Sequence, residues 1–197
     1  MCGTIVMSQY AEVHSNTGND MKISESYEFS TPPIASTISF RSLSIDDLSA
    51  LLPSFYLGLD FDARQARFGG AVSDDSIIRH CREFDSNQAV VLGCIGPKGL
   101  ITAIELLPLS STWEDAELAL AENARIDRIM ILGHLLQLAA FTAGKRGCNT
   151  FIVPLRPCES DLRRLLRSMG RVRIQGESAR VDLSEYASLH GLSIARP

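Results

Sequence analysis

A short apolar strand, a long apolar helix and a second strand follow one another in the second half of this 197-residue chain, and no other feature limits its fold as tightly. AELAL (116–120) reads as a buried strand, 129–143 as a helix, and NTFIVPL (149–155) as a strand again. Two strands of one sheet joined through a helix lie parallel, with a right-handed crossover. Elsewhere the sequence signals hairpins instead. AVVLGCI (89–95) and LITAIELLPL (100–109) are separated by GPKG, and RVRIQGESARVDLS (171–184) alternates on both sides of a Gly176 turn. This order predicts an α/β domain: a mixed sheet, antiparallel at both ends, with helices on its faces.

The other elements fit around that core. TISFRSL (37–43) alternates as a strand does, and SIDDLSALLPSF (44–55) reads as a helix capped by Ser44. Asp46 and Asp47 favour its positive end, and Pro53 kinks or ends it. DFDARQARF (60–68) is a short helix before the turn GGAV (69–72). SDDSIIRHCREF (73–84), capped by Ser73, and ESDLRRLLRSM (159–169) are further helices. Residues 1–36 are rich in Ser, Thr, Asn and Asp and close on Pro32-Pro33, as a flexible or loosely docked arm does. Within them SYEF (26–29) is a candidate edge strand. A Ser/Thr-rich start also suits a secretion address. The expected organisation is an arm (1–36), one domain (37–184) and a tail (185–197).

Composition excludes several functions. A net charge of −4 and a pI of about 5.6 call for no nucleic-acid partner. Between Arg156 and Arg180 seven arginines face only Glu159, Asp161 and Glu177, which is either a solvated helix face with a charged hairpin or an anion-facing patch. Cys2, Cys81, Cys94, Cys148 and Cys158 are scattered, with no CxxC pair, so no zinc or other metal site is expected and a reducing, cytoplasmic setting suits them. The 129–143 helix, interrupted by Gly133, His134, Gln137 and Thr142, is too short for a membrane span, and the N-terminus has no basic-then-apolar secretory pattern.

The ordered set FRSLSIDDLSALLPSF, LDFDARQARFGGAVSDDSI, AELAL and LLRSMG resembles the GNAT superfamily of acyl-CoA-dependent N-acyltransferases over about residues 37–184. The RFGG core (67–70) resembles a bacterial subgroup that includes protein-lysine acetyltransferases. The resemblance implies a mostly antiparallel mixed sheet whose central parallel strands, 116–120 and 149–155, splay apart to admit acetyl-CoA. Pantetheine would pair with the backbone of Leu118, Ala119 and Leu120, and the pyrophosphate would sit on the next helix's N-terminus. An ammonium is no nucleophile, so the amine must lose a proton, and a carboxylate can take it directly or through water. The resemblance puts Glu117 in that role, against the plain reading of a strand glutamate facing solvent, with Glu105 as the backup. An N–H of Leu118 or Ala119 would serve the oxyanion.

The superfamily's pyrophosphate loop runs Gln or Arg, two residues, Gly, one residue, then Gly or Ala. Without a gap it falls on Asp127-Arg128-Ile129-Met130-Ile131-Leu132, and Met130 and Leu132 replace the small residues. A one-residue insertion moves it to Arg128–Gly133, with Arg first, Gly last and Ile131 in the middle. β-Branched side chains neither approach a phosphate closely nor take positive φ well, so the loop reads as degenerate. Asp127 is explained without a ligand as a helix N-cap. Where many members carry an asparagine and a tyrosine, this chain has LRPCESDLRRLL (155–166). Cys158 or Ser160 would stand near the leaving thiolate only as substitutes, and the plain reading of Cys158 is a small half-buried residue. His134 reads as packed or solvent-facing.

Two functions follow. One is transfer of an acetyl group to an amine, possibly a protein lysine. The other is an inactive GNAT-like module that regulates by binding, with the apolar 129–143 helix as core, partner interface or homodimer contact.

Overall fold

The computed structural model describes residues 38–85, 88–123, 128–156, 159–184 and 186. The expected arm, the expected tail apart from Tyr186, SYEF, Cys2, Asp127 and Cys158 lie outside them. Seven strands form one sheet: β1 (Ser39–Ser42), β2 (Val90–Gly96), β3 (Gly99–Pro108), β4 (Asp115–Glu122), β5 (Thr150–Pro154), β6 (Arg171–Gln175) and β7 (Ser178–Asp182). Their spatial order is β1-β2-β3-β4-β5-β7-β6, and only β4 and β5 run parallel as neighbours. The helices are α1 (Ile45–Ala50), α2 (Leu52–Leu57), α3 (Phe61–Phe68), α4 (Asp74–Arg82), α5 (Arg128–Gly144) and α6 (Ser160–Met169).

The stretch 44–55 forms two helices rather than one. Ser44 caps α1 and closes a capping box with Asp47, while Pro53 sits in the first turn of α2. A proline there sacrifices no helical hydrogen bond, so it marks a start as well as a break.

The sheet has a core on each face. On one, Leu92, Ile104, Leu106, Leu118 and Phe151 pack against Leu135, Leu136 and Ala139 of α5 and Leu162 and Leu166 of α6. On the other, Val91, Ala103 and Ala121 meet Leu52, Tyr56 and Ile77 of α2 and α4. Strand alternation puts Ala116 and Leu118 on the first face. Glu117, Ala119 and Ala121 therefore share the second. α3 lies on that second face and has no fully buried residue.

Two glycines of the landmark motifs have different causes. Gly69 caps α3 in the left-handed region (φ 73°), which a side chain disfavours. Gly170 ends α6 in extended backbone, but a Cβ there would lie 2.0 Å from the Asp182 carbonyl oxygen. Among the described residues no helix is long and apolar enough to cross a membrane.

Candidate functional site

The parallel pair is brief. β4 and β5 share the rungs Asp115↔Thr150, Ala116↔Phe151 and Glu117↔Ile152, after which β4 continues to Glu122 with β3 alone. Backbone direction along β4 follows from its ends. The Glu114 carbonyl accepts from Asn149 N–H at 2.8 Å, on the β5 side, whereas the Asp115 carbonyl accepts from Leu109 and Asn123 N–H donates to Ile101, on the β3 side. A strand's polar groups alternate sides. Hence the Leu118 N–H closes the last rung with Ile152, the Leu118 C=O and the Leu120 N–H and C=O turn into the gap, and the polar groups of Ala119 are used by β3. Among the described residues no strand covers the gap.

A cleft of about 470 Å³ opens here. Its walls are α3 (Asp62 to Arg67, with Gly69), β4 (Glu117, Ala119, Leu120, Glu122) and the β5–α6 connection (Leu155, Arg156, Glu159). Glu117 is half-buried at the point where the strands part. Its carboxylate has no hydrogen bond or ion pair with a described residue.

Glu105 is fully buried in a different setting. It pairs with Ala119, so it lies one strand over and two residues along from Glu117, on the same face. Tyr56 Oη donates to one carboxylate oxygen, Arg67 Nη2 binds the other, and His80 Nε2 lies 3.2 Å from the first. Burial pushes this carboxyl up, but the His80 hydrogen bond, the Arg67 charge and the Tyr56 bond outweigh it and hold Glu105 below its ordinary value. Burial and the Glu105 charge push the Tyr56 phenol well above its own, so it stays a donor. The Arg67 guanidinium stacks over the Phe68 ring at 4.9 Å. This surrounds Glu105 with donors and leaves it no opening from which to take a proton. The RFGG stretch thus has a structural content that the sequence does not disclose.

At the start of α5, Arg128 is spent on Glu122. Its Nε and Nη2 each donate to a different carboxylate oxygen at 2.8 Å, and the pair raises the arginine's pKa. Ile131 and Leu132 point into the core, while Ile129 and Met130 are 44% and 41% exposed. Gly133 sits a turn inside the helix, half-buried beside Leu165. Ser160 opens α6, exposed and outside the cleft lining, whereas its neighbour Glu159 is buried there and accepts from Arg156 N–H at 3.0 Å. His134 stacks on Phe40 with ring centroids 5.0 Å apart. Among the described residues no cluster of His, Cys, Asp or Glu could hold a metal.

No protein-family model matches the chain, and no curated protein matches it by sequence. Solved structures do share its architecture. The GNAT domain of S. lividans PAT superposes with a TM-score of 0.58 at 18% identity, over 72% of this chain and 87% of that one. A point mutant of the spermidine N-acetyltransferase SpeG from Vibrio cholerae gives 0.56 at 13%, over 79% and 99%. A structure described as a putative acetyltransferase from Acinetobacter baylyi gives 0.53 at 12%, over 73% and 90%. The sheet order, the single parallel pair and the helix placement are therefore those of the GNAT fold. At these identities the likeness is one of fold.

Proposed function

We propose that this protein is an N-acyltransferase that moves an acetyl group from acetyl-CoA to an amine. The parting of β4 and β5 at Glu117 carries the reading. An extended amide-bearing arm needs unclaimed backbone partners, and the Leu118 carbonyl and the Leu120 N–H and carbonyl present them. The residues fit such a donor: a gap with free backbone groups, a carboxylate at its apex, and a long helix starting beside its far end.

Acetyl-CoA supplies a thioester carbonyl open to attack by an uncharged amine. Glu117 would take the proton that frees the amine, directly or through one water. The Leu120 N–H, turned into the gap, would donate to the carbonyl oxygen as charge builds there. The Leu118 N–H, on the last shared rung, and the Ala119 N–H, directed to β3, are the poorer candidates. Arg128, Ile129 and Met130 form the helix end that a pyrophosphate would meet, with Asp127, Ile131, Leu132 and Gly133 completing the two alternative loop registers. Of the two substitutes for a group at the leaving sulfur, Ser160 lies outside the cleft lining, which leaves Cys158 as the candidate. The acceptor is an amine, possibly a protein lysine.

Isothermal titration of the full chain with acetyl-CoA tests this. The expected result is binding in the micromolar range, about −8 kcal/mol. The absence of both heat and thermal shift at millimolar ligand would overturn the reading.

A second reading rests on one observation. Arg128 is already engaged by Glu122, and Ile129, Met130 and Phe141 leave apolar surface on α5. In that case the protein is a non-catalytic GNAT-fold module, and α5 contacts a partner or a second copy.

A further inference from the structure

We propose that Glu105 is a positioning residue for the amine side of the cleft, acting through Arg67 on α3. The kinetic part rests on the acyltransferase reading, and the structural part on geometry alone.

The amine must reach the Glu117 carboxylate, which leaves the sheet on the face that α3 covers. α3 is therefore the wall the acceptor meets. A surface helix is usually fixed by an apolar stripe pressed into the core. This one has only a thin stripe: no residue of α3 is fully buried, Phe61 is 67% exposed, and Ala63 and Phe68 pack half-buried against the second core. Polar contacts supply the rest of its anchoring. Asp60 caps its first turn, accepting from Ala63 N–H at 2.8 Å. Arg64 ties its middle outward, bonding the Leu59 carbonyl at 3.2 Å, the Leu57 carbonyl, and Asp74 at 2.7 Å.

Among the described residues the last turn has one charged tie to the sheet, Arg67 to Glu105. Phe68 adds half-buried packing on the second core, with its ring 5.3 Å from Tyr56 and 5.7 Å from His80 between centroids. Glu105 is a rigid base for that tie, because it sits mid-strand between β2 and β4 with Tyr56 and His80 holding its other oxygen. Without the carboxylate charge, the Arg67 side chain, 7% exposed, would be a buried cation with no counterion. Its Nε already lacks a partner. The guanidinium must then move toward water. Arg67 lines the cleft, so the guanidinium moves into it and α3 shifts with it. The backbone of β4 and the start of α5 belong to other elements and stay in place.

Hydrogen–deuterium exchange of the full chain is the test, on Glu105→Gln and on Arg67→Lys, which keeps a charge but not the stacked fork. Exchange across Phe61–Phe68 should rise about tenfold or more in both, with β4 and α5 as in the parent. With acetyl-CoA and Nα-acetyl-lysine amide as probes, the amine KM should rise about tenfold, while kcat and the acetyl-CoA Kd stay within about threefold. Glu105→Asp should fall between. Unchanged exchange over 61–68 in Arg67→Lys overturns the proposal, even where Glu105→Gln does not fold. So does a rise spread evenly over the chain, or a raised exchange with an unchanged amine KM. A parent protein that neither binds acetyl-CoA nor acetylates any amine sinks the acyltransferase reading, and the exchange data then decide alone whether Glu105 holds α3.

Discussion

Glu117 and Ile152 form the last rung that β4 and β5 share. Everything proposed for the cleft follows from that rung, because beyond it the two strands separate and leave polar backbone facing a gap. Glu117 is the side chain at the point of separation, and its carboxylate has no described partner to lose. Glu117→Gln should therefore cost little stability, within about 0.5 kcal/mol. If Glu117 is the base, kcat/KM should fall by about 10²–10⁴-fold and the acidic limb of its pH profile should disappear. Equal rates for both proteins would remove Glu117 from the chemistry.

The Arg128–Glu122 pair makes a prediction of opposite signs. Arg128 lies in the first turn of α5, where a cation opposes the helix dipole. Glu122, with Glu159 and Asp161 further off, offsets that cost. A pyrophosphate arriving at this helix end would compete with Glu122 for the guanidinium. Glu122→Gln should then tighten acetyl-CoA binding and Arg128→Ala should weaken it, each by about three- to tenfold for one charge-assisted contact. Titration calorimetry at fixed ionic strength reads both. Weakening by both variants would mean that the pair shapes the site and does not compete for it.

Element order is legible in the sequence because each element carries its own local signal. GPKG and Gly176 mark the hairpins, Ser44 and Ser73 the helix starts, and the apolar stretch 129–143 the crossover helix. The parallel pair follows from chain order alone. The Glu105 network is not legible, because its partners stand 49, 38 and 25 residues away and none carries a motif for the contact. The start of α5 misleads in a different way. Ile129 to Leu132 read as an apolar wall across a phosphate cradle, but helical rotation sends two of those side chains into the core and leaves two at the surface. A list of residue types does not carry that division.

Gly133 separates the two loop registers. Its φ is not positive, and a Cβ there would meet only Leu165 Cδ2, at 3.8 Å. In the helix interior Gly133→Ala should stabilise the protein by about 1 kcal/mol. If the loop runs Asp127–Leu132, acetyl-CoA affinity should be unchanged. If it runs Arg128–Gly133, the added methyl should weaken binding. Thermal unfolding and titration on one variant give both answers. Stabilisation without loss of affinity is expected.

Acid titration of stability tests the charge state of Glu105. Its carboxyl is held below its ordinary value in the folded protein. A group depressed in this way adds stability above its unfolded pKa, about 4.3, and loses it as pH falls through the lower folded value. Tyr56, Arg67 and His80 hold the carboxylate form, so protonation should loosen all three contacts at once. At pH 7, urea unfolding should therefore place Glu105→Gln well below the parent. Removing one partner of a buried pair typically costs about 3–5 kcal/mol. The gap should stay constant down to about pH 5 and narrow below about pH 4.3, as the parent's carboxylate takes up the proton that the glutamine mimics. Other acidic groups, such as Asp47 paired with Arg41, titrate alike in both proteins and cancel in the difference. A gap that widens as pH falls would mean that Glu105 is folded in its neutral form and that Arg67 is held by something else.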